Sequence, residues 1–103
     1  MSQLHISFEE HAARDARLII LRGLNGQLDG RLNEIMLTAL LETFGHNRSR
    51  DWVRTQLRKL HELGAVALAE AGTVLIASIT RAGVDHVERR SLIEGVNRPS
   101  PEV

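Results

Sequence analysis

Apolar residues recur at helical spacing in several stretches of the chain, and they alternate at strand spacing in others. The first helix is expected to begin after Ser7 and to run to about Gly23, because Ser7 and Glu10 form a capping-box pattern. Leu18 and Leu21 are expected to lie opposite its core face. That core face is predicted to contain Phe8, Ala12, Ala16, Ile19 and Ile20.

Turn signals dominate the segment that follows the first helix. Asn25-Gly26 and Asp29-Gly30 both mark turns, and Gln27-Leu28 between them is predicted to form a short strand. A second helix is then expected from about Leu32 to Phe44. Its predicted apolar face contains Met36, Leu37, Leu40, Leu41 and Phe44.

A third helix has the most regular pattern. It is predicted to run from the N-cap residue Ser49 to Leu63, and Gly64 ends it. Trp52 is expected at the edge of its core face. Only a short connection separates it from the second helix, as in a helix-turn-helix. The residues expected to face the core are Val53, Leu57 and Leu60.

A β-hairpin is predicted next, because apolar residues alternate on both sides of the turn Glu70-Ala71-Gly72. A fourth helix, capped by Thr80, is expected from about Arg81 to Arg90. The alternating residues of the hairpin are Val66, Leu68, Val74 and Ile76.

These elements together predict a mainly α fold with a small β-hairpin (α+β), in the order α-β-α-α-β-β-α. The length of 103 residues suits one domain. We expect that domain to span residues 1–90. Residues 91–103 contain both prolines, Pro99 and Pro101, and lack periodicity, so they are predicted to form a partly flexible C-terminal tail.

The composition excludes several classes of site. Without cysteine, the chain has no disulfide, thiolate zinc site, iron–sulfur cluster or cysteine nucleophile. The histidines are scattered and no phosphate-binding loop is present, so no catalytic residue, metal or cofactor is expected. No apolar run approaches the ~18 residues of a membrane span, and no signal peptide is recognisable, which predicts a cytoplasmic protein without a membrane partner.

Positive charge is concentrated in one segment, although the whole chain is neutral. Between residues 46 and 61, five basic side chains accompany a single acid, Asp51, which gives a local charge of +4. A basic helix of this kind is typical of an element that enters the major groove of DNA. We therefore predict that DNA bases are contacted by Arg50, Arg54, Thr55 and Arg58. Contacts with the DNA phosphates are predicted for Arg48, Ser49 and Lys59.

The third helix and the hairpin carry a pattern of residues found in a known family. Arg54-x-x-Leu57-x-x-Leu60-x-x-Leu63-Gly64-Ala65-Val66 leads into the hairpin, and Ile79-Thr80-x-x-Gly83 opens the last helix. This combination resembles a winged helix-turn-helix domain over residues 7–90. The resemblance implies that the third helix is the recognition helix and that the hairpin is the wing.

A closer resemblance is to short ArsR-type proteins of Mu-like phages and prophages. The chain shares with them Gly45-His46-x-x-Ser49-Arg50-Asp51 and a tail similar to Gly95-Val96-x-Arg98-Pro99. This resemblance implies a phage or prophage origin and a bacterial host cell. It settles no biochemical role by itself. The basic third helix and the winged-helix resemblance together lead us to expect double-stranded DNA as the partner, bound specifically or generally, and a role in transcription regulation.

A second class of function remains open on the same residues. The hairpin turn is acidic at Glu70, whereas DNA-binding wings usually carry a basic residue. Asp51 and Glu62 are also spaced to pair with Arg54 or Arg58 on the third helix. The alternative is therefore a non-enzymatic protein-interaction module of a phage complex, whose basic face binds an acidic protein.

A homodimer is also expected. Winged-helix dimers often pair through their first and last helices, and four apolar residues lie off the predicted core there: Leu18, Leu21, Leu92 and Ile93. Burial of these side chains between two copies would favour association. The alternative is that the last two fold back over the first two within one subunit and leave a monomer.

Overall fold

A computed structural model describes residues 6–100 of the chain. The order of its elements is α-β-α-α-β-β-α, so the predicted α+β class is confirmed. The helices are α1 (Phe8–Asn25), α2 (Glu34–Thr43), α3 (Arg50–Glu62) and α4 (Arg81–Val87). The strands are β1 (Arg31–Asn33), β2 (Val66–Ala71) and β3 (Val74–Ile79).

The three strands form an antiparallel sheet in the order β1-β3-β2. The hairpin was predicted correctly, but its turn is Gly72-Thr73, because Ala71 pairs with Val74. Glu70 therefore lies within β2, opposite Leu75, and not in the turn.

The first strand lies later in the chain than the sequence predicts. Leu28 is fully exposed in a turn, and pairing begins where the amide of Ile79 donates to the carbonyl of Gly30. β1 forms because residues 31–33 pair with the central strand β3, which lies more than 40 positions later in the chain. The position of this strand therefore cannot be predicted from the pattern of neighbouring residues.

The helix α1 is buried over more of its surface than predicted. Ala16 and Ile20 of the predicted core face are fully buried, as expected. The amide of Glu10 donates to Ser7 Oγ, which confirms the predicted N-cap, but Phe8 is 80% exposed. Leu18 and Leu21 belong to the core, since α1 contacts α2, α3, α4 and the sheet. The residues of α1 that are buried are Ala13, Ala16, Arg17, Leu18, Ile20, Leu21 and Leu24.

The helices α2 and α3 match the sequence prediction to different degrees. The predicted core residues of α3 are all fully buried, as are Leu37 and Leu41 of α2. In contrast, Met36 and Phe44 are exposed, and Glu34 is fully buried at the first position of α2. The N-cap of α2 is Asn33, whose side chain accepts the amide hydrogen of Met36.

The last helix is shorter than predicted, and the segment that follows it returns to the core. α4 ends at Val87, and His86 is fully buried. The amide of Ile93 donates to Nδ1 of His86, so the ring carries its proton on Nε2, which donates to the carbonyl of Asn97. Val96 belongs to the hydrophobic core, which therefore extends beyond residue 90.

Among residues 6–100, no helix is both long and apolar enough to cross a membrane.

Candidate nucleic-acid interface

The start of α3 is fixed by local contacts. Ser49 Oγ accepts the amide hydrogen of Trp52, so Ser49 is the N-cap residue that the sequence predicts. The guanidinium of Arg48 lies 4.5 Å from the centre of the Trp52 ring, and its Nη2 donates to Glu9 at 3.1 Å. Arg48, which was predicted to contact DNA, is therefore already bound by an aromatic ring and by a carboxylate.

A buried carboxylate holds the next two arginines of α3. Nε of Arg50 and Nε of Arg54 donate to Glu34 Oε1 at 3.0 and 2.8 Å. The amide of Leu75 donates to Glu34 Oε2 at 2.6 Å. We call these four residues the Glu34 junction. It joins the start of α2, the first half of α3 and the central strand.

The junction keeps Glu34 charged. Burial by itself raises the pKa of this carboxyl, but hydrogen bonds from Arg50, Arg54 and the Leu75 amide outweigh burial and lower the pKa to about 2. The same contact with Glu34 raises the pKa of Arg50. The junction is therefore an ionic cluster with a net charge of +1 at neutral pH.

The hairpin turn contacts the same two arginines. Nη2 of Arg50 and Nη2 of Arg54 donate to the carbonyl of Thr73 at 3.0 and 3.2 Å. Their side chains are still 46% and 29% exposed. Each guanidinium is thus held along one edge, while its remaining edge is accessible to solvent.

The second half of α3 presents the basic side chains that are not held in this way. Thr55, Arg58 and Lys59 are exposed. The Thr55 hydroxyl donates to the carbonyl of Asp51, which leaves its oxygen able to accept. In the part of the chain that the structure describes, neither Arg58 nor Lys59 forms a salt bridge, whereas Arg48, Arg50 and Arg54 do.

The local charge is smaller in the structure than along the sequence. Residues 46–61 have a formal charge of +4, but Glu9 and Glu34 come from outside this segment and bind three of its arginines. With these two carboxylates counted, the charge of the site is +2. The sequence pattern did not reveal Glu34, because an acidic residue in the first turn of a helix is common for local reasons.

The residues predicted to form a dimer surface lie in two different environments. Leu18 and Leu21 are 6% and 0% exposed inside a single chain, so they cannot provide the surface patch that was expected. Ile93 packs against the same core. Leu92 is 48% exposed and is the most accessible of the four.

Within residues 6–100 there is no group of three or more metal-binding side chains. The two carboxylates that flank His86 in the sequence, Asp85 and Glu88, both bind Arg90. His86 itself is occupied by hydrogen bonds to the segment after α4.

The chain is similar to two phage and bacterial proteins. It is 38% identical over 87 residues to "Uncharacterized protein gp26" of Escherichia phage Mu, and the match covers 84% of this chain and 90% of that protein. It is 36% identical over 77 residues to an "Uncharacterized protein" of Haemophilus influenzae, with 74% of each chain covered. No protein-family model matches the chain, and no solved structure matches it. The chain belongs to the family that contains the gp26 protein of phage Mu.

Proposed function

We propose that this protein is a winged-helix DNA-binding protein of phage or prophage origin, which binds double-stranded DNA through the exposed face of α3 and regulates transcription. The observation that carries the proposal is the pair Arg58 and Lys59. Both are exposed on the second half of α3, and neither is neutralised by an acid among residues 6–100. Free cations on one helix face suit the phosphates and base edges of a major groove.

We assign each basic side chain of α3 a role in DNA binding from the bonds that it already makes within the protein. The Arg58 side chain is exposed and forms no salt bridge with any residue from 6 to 100, so we assign base contact to Arg58 and to Thr55, one turn before it. Lys59 is assigned to a phosphate. Arg50 and Arg54 each use Nε and Nη2 to donate to Glu34 and Thr73, so their guanidinium groups are held in place, and we assign to them contacts with phosphate through the N–H groups that remain.

A protein-interaction module is the second candidate. Glu34 and Glu9 reduce the positive charge of the α3 region, and Glu70 is exposed on β2. These acids weaken long-range attraction to DNA. An acidic protein partner could bind Arg58 and Lys59 on the same face.

The test is DNA binding across a salt series from about 50 to 200 mM. We expect Arg58→Ala to weaken binding about 5- to 150-fold, as for loss of a base contact. Lys59→Ala should instead weaken binding to all sequences and reduce the slope of log affinity against log salt by about 0.9. Both variants change exposed side chains, so the fold should be retained.

Arg81→Ala is the matched control. Arg81 is 86% exposed on α4, so this variant removes the same charge outside the proposed interface. If Arg81→Ala and Arg58→Ala weaken binding equally, only net charge matters and the assignment of α3 is wrong. If the parent protein does not bind phage DNA at about 50 mM salt, the protein-interaction module becomes the leading function.

A further inference from the structure

An apolar groove lies between α1 and α2. It has a volume of about 390 Å³. On one side of it, Leu40 of α2 packs against the α1 backbone at Gly23, where a Cβ would collide with it. We call it the α1–α2 groove, and it is lined by Asp15, Ile19, Arg22, Gly23, Leu40 and Phe44.

Two residues that line the groove, Leu40 and Phe44, belong to an apolar stripe on α2 that continues beyond the groove to Met36. Met36, Leu40 and Phe44 are spaced four residues apart, so they lie on one face of α2. Met36 is 53% exposed and Phe44 is 61% exposed. Large apolar side chains grouped in this way mark an interaction surface more often than isolated ones do.

Opposite charges stand at the two ends of this groove. Asp15 and Arg22 are seven positions apart on α1, which separates them by about 10 Å along the helix axis, with Ile19 between them. Asp15 is 48% exposed, although His46 Nε2 lies 2.8 Å from one of its oxygens. Arg22 is exposed and has no salt bridge with any residue from 6 to 100. The groove is therefore negative at one end, positive at the other and apolar in the middle.

We propose that the α1–α2 groove binds a second copy of this chain. A two-fold axis near Ile19 and Leu40 would place Asp15 of each copy against Arg22 of the other. It would also place Phe44 of each copy against Met36 of the other. Such an interface is self-complementary, as the interface of a symmetric dimer must be. This surface differs from the one that the sequence predicts, and it does not depend on DNA binding.

The oligomeric state in solution tests the proposal. Sedimentation of the full chain at roughly tens of micromolar should give a mass twice 11.5 kDa. Phe44→Glu should yield a folded monomer, because it places a charge against the apolar side chain of Met36 of the other copy. Met36→Glu is the second variant, at the other end of the stripe, and it should have the same effect.

Leu92→Glu is the matched control. Leu92 is also exposed, but it lies on the segment after α4 and lines none of the α1–α2 groove. It should leave the dimer intact. A dimer disrupted by Leu92→Glu and unaffected by Phe44→Glu would overturn the proposal in favour of the surface predicted from sequence. A monomer at every concentration would overturn it too.

A charge exchange tests the antiparallel arrangement. Arg22→Asp should weaken dimerisation at least about tenfold, because it places a second carboxylate against Asp15 of the other copy. Combining it with Asp15→Arg should restore the affinity to within about threefold. The double variant loses the contact with His46, so recovery can only come from the pairing between copies. No recovery would contradict the two-fold arrangement.

Discussion

Glu34 links three segments that are far apart in the sequence. Ion pairs on a protein surface typically contribute little, because water screens them. Glu34 is fully buried and accepts hydrogen bonds from two guanidinium groups and one backbone amide. Its loss would leave the Leu75 amide without this acceptor and two arginines close together without a counter-charge.

We predict that Glu34→Gln lowers the free energy of unfolding at pH 7 by about 1–3 kcal/mol, measured by urea denaturation. The folded-state pKa of Glu34 is lowered from 4.5 to about 2. Its contribution to stability is therefore complete above pH 4.5 and is lost as the pH falls toward 2. The stability difference between parent and variant should shrink over this interval.

Glu42→Gln serves as the control for this prediction. Glu42 is exposed on the same helix, so its substitution should change stability by less than about 0.5 kcal/mol at any of these pH values. A difference between parent and Glu34→Gln that stays constant down to pH 2 would show that ionisation of Glu34 does not stabilise the fold.

At the scale of single elements, the start of α4 explains why the Ile79-Thr80-x-x-Gly83 pattern needs its glycine. Thr80 Oγ1 accepts the amide hydrogen of Gly83 and donates to the carbonyl of Gly64. The amide of Thr80 donates to the carbonyl of Ala65. These bonds bring α4 so close to the start of β2 that a Cβ on Gly83 would collide with the backbone oxygen of Ala65.

We predict that Gly83→Ala lowers the free energy of unfolding by roughly 1–3 kcal/mol, measured by thermal or urea denaturation. In an open helix the same change would stabilise by up to about 1 kcal/mol, because alanine favours helix. Gly26→Ala is the control, since a Cβ there meets only ordinary contacts. Equal effects of the two substitutions would show that α4 does not pack as closely as described.

At the scale of the whole molecule, α1 contacts the other three helices and the sheet, and the segment after α4 packs against α1. Nη1 of Arg17, a buried residue of α1, donates to the carbonyl of Gly95 at 2.7 Å. The amide of Asn97 donates to the carbonyl of Arg14. With Val96 in the core and both ring nitrogens of His86 bonded to this segment, residues 91–100 complete the fold.

We predict that removal of residues 91–103 lowers the free energy of unfolding by roughly 2–4 kcal/mol, because it uncovers apolar surface, removes one acceptor of Arg17 and removes the partners of both ring nitrogens of His86. The melting temperature by circular dichroism provides the measurement. Removal of residues 101–103 alone leaves every contact named above in place, so it should not change the melting temperature. A domain of residues 1–90 as stable as the full chain would support the boundary predicted from sequence.

Several elements could be predicted from the sequence because their causes are local. Ser7, Ser49 and Thr80 cap helices by bonding amides three residues ahead, so a short window contains both partners. The core face of α3 and the pairing of β2 with β3 follow from periodicity in the same way. The basic segment before and within α3 could likewise be identified as the candidate site.

Which charged and apolar side chains are accessible at the surface could be seen only in the tertiary structure. Glu34 meets arginines 16 and 20 positions away and an amide 41 positions away, and that contact changes the charge of the candidate site. The position of α1 in the centre buries Leu18 and Leu21, which periodicity assigns to the outside. Periodicity can identify one apolar face, but the number of neighbours around a helix depends on how distant parts of the chain assemble. The sequence by itself therefore determined the four helices, the hairpin and their order. Packing between distant segments decided where β1 forms and which charges and apolar side chains remain available to a partner.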